Sequence, residues 1–336
     1  MEGKLCLTNM ACMVFEGGAM HAITETQWQS QEFAPKRWNY FKDVLIRRFG
    51  TKVYKVGVNA GFDCPNRDGT KGFGGCAYCS QEGSLSPHQD PKAAVAEQME
   101  KGKAFVKRRY NAEKYIAYFQ AFTNTYAPVE TLRERFEPAI GGEDCVGLSV
   151  ATRPDCVNED NIGYLAELAE RLPYFTLELG LQSVYQNRLD WVNRQETVQD
   201  YVNAMELLNK HNVKVITHVI LGFPGESLQE MEDTVRLADR MGTLGIKLQM
   251  LHVIKRTKLA FLYNKEPFKL MDMEEYLDTV IHMIERLRPK VEIHRITGET
   301  DSRDLVAPEW TNQKGIFFKR FDEEMEKRNT WQGRCV

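Results

Sequence analysis

The chain has 336 residues, of which 43% are hydrophobic, 27% charged and 10% aromatic, and 44 Lys+Arg against 47 Asp+Glu leave a net charge of −3. That is the profile of an ordinary globular enzyme; it excludes disordered, collagenous and coiled-coil chains, and no global positive field advertises nucleic acid. No apolar run approaches the roughly 18 residues that span a bilayer, and Glu2, Asn9 and Glu16 interrupt any signal-peptide core, so a cytoplasmic protein without membrane contact is expected.

Residues 1–35 show no clear period and read as a loosely ordered N-terminal extension. Trp38, Phe41, Leu45 and Phe49 then fall at helical spacing, with Gly50 as a stop. A strand over 53–58 leads into a glycine-rich loop, and Asp90-Pro91 starts a helix running to about 110, with Pro at a favoured first position. A strand at 116–122, a short helix at 128–138 and a strand at 146–151 follow. The next helix, 158–172, stops at Pro173. A strand over 175–181 precedes a helix over 197–212, and a β-branched strand over 213–221 precedes a helix begun by the capping box Ser227 and Glu230. The spacing then predicts a strand over 246–253 and a helix over 273–288 capped by Asp272 with Glu275. An apolar run at 291–296 and a helix at 315–328 complete the chain.

Regular βα alternation argues for parallel strands with crossover helices. A doubly wound sheet and a barrel share this pattern. Six units with chemistry-bearing residues at strand C-terminal ends favour an α/β fold of the partial, open (β/α)6 barrel type over 36–296, with 297–336 as a C-terminal extension packed on it.

Of the eight cysteines, Cys64, Cys76 and Cys79 fall together in C-x11-C-x2-C directly after the first strand. Gly69, Gly72, Gly74 and Gly75 let this loop bend around a bulky ligand. Soft thiolates select zinc or iron–sulfur. Structural zinc wants four ligands, with His88 the nearest fourth candidate but at no common zinc spacing; an iron–sulfur cluster with one iron not ligated by protein explains the count of three. Other candidates recur at strand ends: Gln120, Asn124 and Thr125 after the second, and Arg153 beside Asp155 after the third. Glu178 and Gln182 share one face of the fourth, Arg194 follows it, and Gly222 and Pro224 follow the fifth. Each has a structural alternative: an Asn-tolerant turn, an ion pair, an internal polar network of Glu178 and Gln182 with Arg194, and a tight βα turn. His218 reads as a satisfied core histidine and Cys156 as structural, while Lys247, Gln249 and His252 suit a polar barrel interior.

The segment from Val58 through Cys64-Pro-Asn-Arg-Asp-Gly to Cys79 resembles radical S-adenosylmethionine (SAM) enzymes of the Elongator-catalytic-subunit-like branch, in its YhcC/YtqA-like bacterial subgroup. The resemblance implies a 4Fe–4S cluster on Cys64, Cys76 and Cys79, with SAM on the fourth iron and one-electron cleavage to methionine and a 5′-deoxyadenosyl radical. It implies Tyr78 near the adenine and Gln120, Asn124 or Thr125 at the SAM amino group, although the usual Gly-Gly-Glu segment is absent. It further implies Glu178 and Gln182 at the ribose hydroxyls and amino group, Arg194 at the carboxylate, the Gly222–Pro224 turn against the adenine, and Arg153 in a site role. Gln195-Glu196 departs from the Asn-Arg-Gly-His common in relatives, which puts a His-dependent step in doubt. His294, Arg295 and Trp310 resemble family segments without an assigned role.

Two basic clusters stand out: Lys101, Lys103, Lys107, Arg108, Arg109 and Lys114; and Arg37, Lys42, Arg47, Arg48, Lys52 and Lys55. They suit an RNA backbone or a solvated helix face equally well. The resemblance implies a tRNA substrate, altered on the C5 side chain of wobble uridine without an acetyltransferase domain, and an electron donor such as flavodoxin or ferredoxin. Alternatives are a radical SAM oxidoreductase on a small metabolite and, from another class, a zinc-stapled RNA-binding protein.

Overall fold

A computed structural model describes residues 24–29, 36–80, 92–298 and 300–336. Most of the expected N-terminal extension, His88 and the Asp90-Pro91 helix start lie outside the described residues. Seven parallel strands form one curled sheet in the order β1 (Val53–Val58), β2 (Lys114–Phe119), β3 (Cys145–Thr152), β4 (Tyr174–Gln182), β5 (Val215–Leu221), β6 (Gly245–Met250) and β8 (Glu292–Arg295). Every strand lies beside its predecessor in this sheet, with no reversal of order. A doubly wound sheet reverses at a switch point, so the order selects the open half-barrel: six βα units and a closing seventh strand.

Alternation along the strands sorts side chains into two environments. Leu148, Val150, Leu177, Leu179, Val219, Leu221, Ile246 and Leu248 join the main apolar core that the crossover helices cover. Ser149, Thr176, Glu178, His218 and Lys247 take the other face and line the lumen. All nine residues of β4 are buried, as expected for a central parallel strand covered on both faces. Asn158, Thr197, Ser227 and Asp272 each begin a helix with a reciprocal capping box, which satisfies two or three N–H groups per helix and fixes where each crossover turns back.

The gap between β1 and β8 is bridged at its base by the helix Phe41–Phe49, which packs on both strands. Tyr40 forms a parallel bridge with Ile293, the Phe41 ring stacks on His294 at 3.7 Å, and Leu45 joins Val53, Ile116, Val146 and Tyr174 in a separate apolar cluster. This helix plugs the N-terminal end of the lumen and leaves the other end for chemistry.

Several boundaries differ from expectation. A short helix, Glu25–Gln29, lies within the expected extension; Trp38 precedes the helix Phe41–Phe49, and its Nε1 donates to Asp322 at 3.2 Å, so its burial serves the C-terminal helix Lys314–Lys327. The first crossover helix begins at Val95. The strand expected over 246–253 breaks at Met250; Val253–Ile254 (β7) instead pairs antiparallel with Leu305–Ala307 (β9). Helices Gln186–Trp191 and Lys258–Lys265 were not anticipated because both are short and their apolar faces are set by the neighbouring loop. Phe317, Phe321 and Met325 of the C-terminal helix are buried in the main core.

Candidate active site

The chain leaves β1 at the C-terminal end of the barrel and enters the cysteine loop. Gln98 pins its start, accepting from Asn59 N–H at 2.9 Å and donating to the Asn59 carbonyl at 2.8 Å. The Cys64 carbonyl accepts from the N–H groups of Arg67 and Asp68, and the Pro65 carbonyl from those of Lys71 and Gly72. The loop is tied to three other segments: Thr123 N–H, after β2, donates to Asp63 O, Ala77 N–H to Val192 O, and Leu259 N–H to Ala77 O. Asn66 and Asn193 cross-brace it, Asn66 Nδ2 donating to Asn193 O at 2.6 Å and Asn193 Nδ2 to Gly75 O at 2.9 Å.

Cys64, Cys76 and Cys79 are free thiols on this frame, Cys76 buried and the other two half-buried. Three positive or polar donors face the sulfurs: Arg67 Nη2 lies 3.2 Å from Cys79 Sγ, Arg194 Nη1 3.6 Å and Asn66 Nδ2 3.7 Å from Cys76 Sγ. Burial, then the neighbouring Cys76, pushes the Cys79 thiol up; Arg67 opposes both. Among the described residues no three His, Cys, Asp or Glu side chains converge tightly enough to grip a single ion. A 4Fe–4S cube needs no such convergence, because it takes each thiolate on a separate iron. Three thiolates with cationic donors, and the buried Gln182 Oε1 without a partner, fit an iron–sulfur cluster and a polar ligand.

Glu178 is the hub of the lumen. Its Oε1 accepts from Lys55 Nζ at 2.5 Å and Ser149 Oγ at 3.0 Å. Its Oε2 bonds Tyr118 OH and His218 Nε2, each at 2.7 Å, and Lys247 Nζ. Burial raises the Glu178 pKa, but Lys247 and Lys55 outweigh it and hold the carboxyl well below its usual range. Burial pushes Lys247 down to about 7 against the pull of Glu178, and pushes His218 down to about 4, so that histidine is neutral at pH 7. Five donors saturate one carboxylate. The internal network foreseen as the alternative for Glu178 therefore exists, but its cations are Lys55 and Lys247, not Arg194. Lys55, read as part of a surface cluster, points into the lumen; its place on the inward face of β1 was the missed signal.

Arg194 instead reaches the cysteine loop. Its Nε pairs with Glu196 at 2.6 Å and its Nη2 donates to Gly180 O at 3.0 Å. A Cβ on Gly180 would displace both groups, standing 2.4 Å from Gln182 Nε2 and 2.8 Å from Arg194 Nη2. Gln182 follows at φ 65°, a left-handed strain that a non-glycine residue holds only where surroundings impose it. Arg153 is buried with its donors committed: Nε and Nη2 grip Asp155 at 2.9 Å, and Nη1 and Nη2 donate to the carbonyls of Arg194 and Gln195. Asp155 also pairs with Lys71 of the cysteine loop at 2.6 Å. The ion-pair alternative thus describes the contacts of Arg153, and through it the Arg194 backbone is clamped.

Asn124 Nδ2 donates to Phe119 O and Ala151 O, and Thr125 Oγ1 bonds Thr152 Oγ1 at 2.6 Å and Cys156 O at 2.7 Å; both brace the ends of β2 and β3. Gln120 is half-buried just after β2. In the turn after β5, Gly222 has φ 85°. The N–H groups of Gly222 and Phe223 donate to Glu226 Oε2, and Arg188 donates to the Pro224 and Gly225 carbonyls. Burial pushes Glu226 up to about 7. The structure therefore gathers the three cysteines, Tyr78, Gln182, Arg194 and the Gly222 turn around the open end of the barrel. Asn124, Thr125, Glu178 and Arg153 are spent on supporting contacts.

Residues 64–238 match the model of the Radical SAM superfamily, and residues 243–327 that of the Radical_SAM C-terminal domain. YtqA of Bacillus subtilis (strain 168) is 38% identical over 89% of this chain and 92% of its own length. A tRNA uridine(34) acetyltransferase of Methanocaldococcus infernus is 30% identical over 57% of this chain, which covers 35% of that protein. The solved archaeal Elp3 of Methanocaldococcus infernus, lacking its N-terminus, superposes with a TM-score of 0.62 at 20% identity, over 83% of this chain and 64% of that one. No helix among the described residues is long and apolar enough to cross a membrane. The thiol triad, the half-barrel and these matches agree: the chain belongs to the radical SAM superfamily, enzymes that work with a 4Fe–4S cluster and S-adenosylmethionine.

Proposed function

We propose that this enzyme acts on tRNA, altering the C5 side chain of a wobble uridine that already carries an aminomethyl-type group. The observation that carries this reading is the match of 57% of the chain to a protein named tRNA uridine(34) acetyltransferase. The chain spans about a third of that relative's length, so acetyl transfer is not carried over. When bound, the cluster and SAM supply reductive cleavage of the sulfonium and with it hydrogen abstraction from unactivated carbon. In this reading Cys64, Cys76 and Cys79 hold the cluster, and Arg194, Gln182, Tyr78 and the Gly222–Pro224 turn receive SAM. Arg153 and Glu178 act as positioning residues, and a flavodoxin or ferredoxin delivers the electron.

A surface feature supports a polyanionic partner. The two basic clusters meet at the N-terminal end of the barrel, where Lys114 N–H donates to Lys52 O and Tyr54 stacks on Tyr110 at 4.7 Å. Lys42 lies over Tyr54, Arg109 over Tyr110, and Lys114 over Phe49. Lys103 is drawn off by Glu100 and Asp144, and Lys101 by Glu97. Lys42, Arg48, Lys52, Lys107 and Arg108 remain exposed. This surface is remote from the cysteine loop, which suits a long RNA backbone better than a short-range electron donor.

The test is a nucleoside profile of tRNA from cells with and without the protein. A changed wobble-uridine side chain is expected; an unchanged profile overturns the proposal.

A further inference from the structure

The Arg67 side chain sits in a built slot. It folds back from the cysteine loop between Gly75 and Phe122. Gly75 has φ 75°, and a Cβ there would stand 2.9 Å from Arg67 Nε. Phe122, a non-glycine residue at φ 66°, puts its ring 5.2 Å from the Arg67 guanidinium carbon. Two left-handed residues thus shape the slot, and such conformations persist where the surroundings over-determine them. At its end Arg67 Nη2 meets Cys79 Sγ at 3.2 Å and the Ser80 carbonyl. This is the shortest of the guanidinium and amide contacts to the cysteine sulfurs, and it sets a permanent cation directly against a ligand sulfur.

We propose that Arg67 is a positioning residue that sets the reduction potential of the cluster through the Cys79 sulfur. The inference rests on the assignment of the cluster to Cys64, Cys76 and Cys79. The redox step is simple: an external one-electron reductant is oxidised, and the cluster gains its electron. No bond forms or breaks, and the guanidinium keeps its proton. A hydrogen bond from a cation to a ligand sulfur stabilises the more negative, reduced cluster over the oxidised one, which raises the potential.

The experiment uses full-length protein reconstituted without air, with iron analysis and an EPR-monitored dithionite titration. Wild type comes first: about four irons per chain and a reducible signal are expected for such a cluster. Their absence removes the three-cysteine assignment itself, separately from the role of Arg67. Arg67→Met is expected to keep the iron and shift the reduction equilibrium at least tenfold toward the oxidised form, about 59 mV lower for one electron. Arg67→Lys, which keeps the charge but loses the fork, is expected to shift less. An unshifted potential in a fully loaded R67M overturns the proposal. So does loss of the cluster in both variants, which would make Arg67 a clamp of the loop and nothing more.

Discussion

Replacing Glu178 by Gln removes one buried negative charge and leaves the Lys55 ammonium facing an amide, beside a Lys247 amine that has lost the partner holding its proton. The side chain of Glu178 is fully buried and that of Lys247 nearly so, so water cannot replace what is lost. Breaking a buried ion pair by removing one partner costs about 3–5 kcal/mol, because the other charge stays uncompensated. With an unfolding entropy of roughly 2.1 cal/mol/K per residue, spread over 336 residues, E178Q is expected to melt about 4–7 °C below wild type. Removing the stranded buried amine as well should restore part of the loss: the double variant E178Q/K247M is expected to melt above E178Q. Thermal unfolding of the apoprotein followed by circular dichroism measures both without involving the cofactor. A melt of E178Q within about 1 °C of wild type would refute the reasoning, as would a double variant whose loss equals the sum of the two single losses, since contacting residues are not additive.

Lys247 gives a pH signature. Its folded pKa lies below the unfolded value of about 10.4, at about 7, so the unfolded chain binds more protons between those limits and stability rises with pH there. Wild type is expected to gain stability from pH 7 to 9 by chemical denaturation, and K247M to lose that gain. Glu226 works the other way: its carboxyl is raised to about 7, so its contribution falls as pH rises above the unfolded value, and E226Q should equal or exceed wild type at pH 8. Glycine substitutions separate close approach from open space. Gly147→Ala places a Cβ 2.1 Å from the Tyr174 carbonyl oxygen, whereas Gly163→Ala, in the helix Glu159–Arg171, meets nothing within 4 Å. G147A should fail to reach wild-type stability by a wide margin, while G163A should gain roughly 0.5–1 kcal/mol from helix propensity; equal melts would contradict both. Lys52→Glu with Arg108→Glu should weaken tRNA binding and flatten its salt dependence by about one unit of slope per lost phosphate contact; unchanged filter-binding curves at two salt concentrations would discount the basic surface.

The sequence by itself determined the elements that local chemistry dictates. Ser227 with Glu230 and Asp272 with Glu275 mark helix starts because a cap needs only residues three apart. The βα alternation gave the parallel architecture, and C-x11-C-x2-C after β1 picked out the loop that carries the chemistry, since that signal lies within a single stretch of chain. Partners across the barrel were not legible. Glu178 and Lys55 are 123 positions apart, and only the strand register brings them together, so a lysine that looked like surface charge became half of a buried pair. Likewise only the fold brings Arg153 to Asp155 and the Arg194 and Gln195 carbonyls, and Arg194 to Glu196 and the Gly180 carbonyl. The preference for an open barrel over a doubly wound sheet came from chemistry-bearing residues at the strand ends, and the lateral order of the strands, which the local pattern leaves open, bears it out.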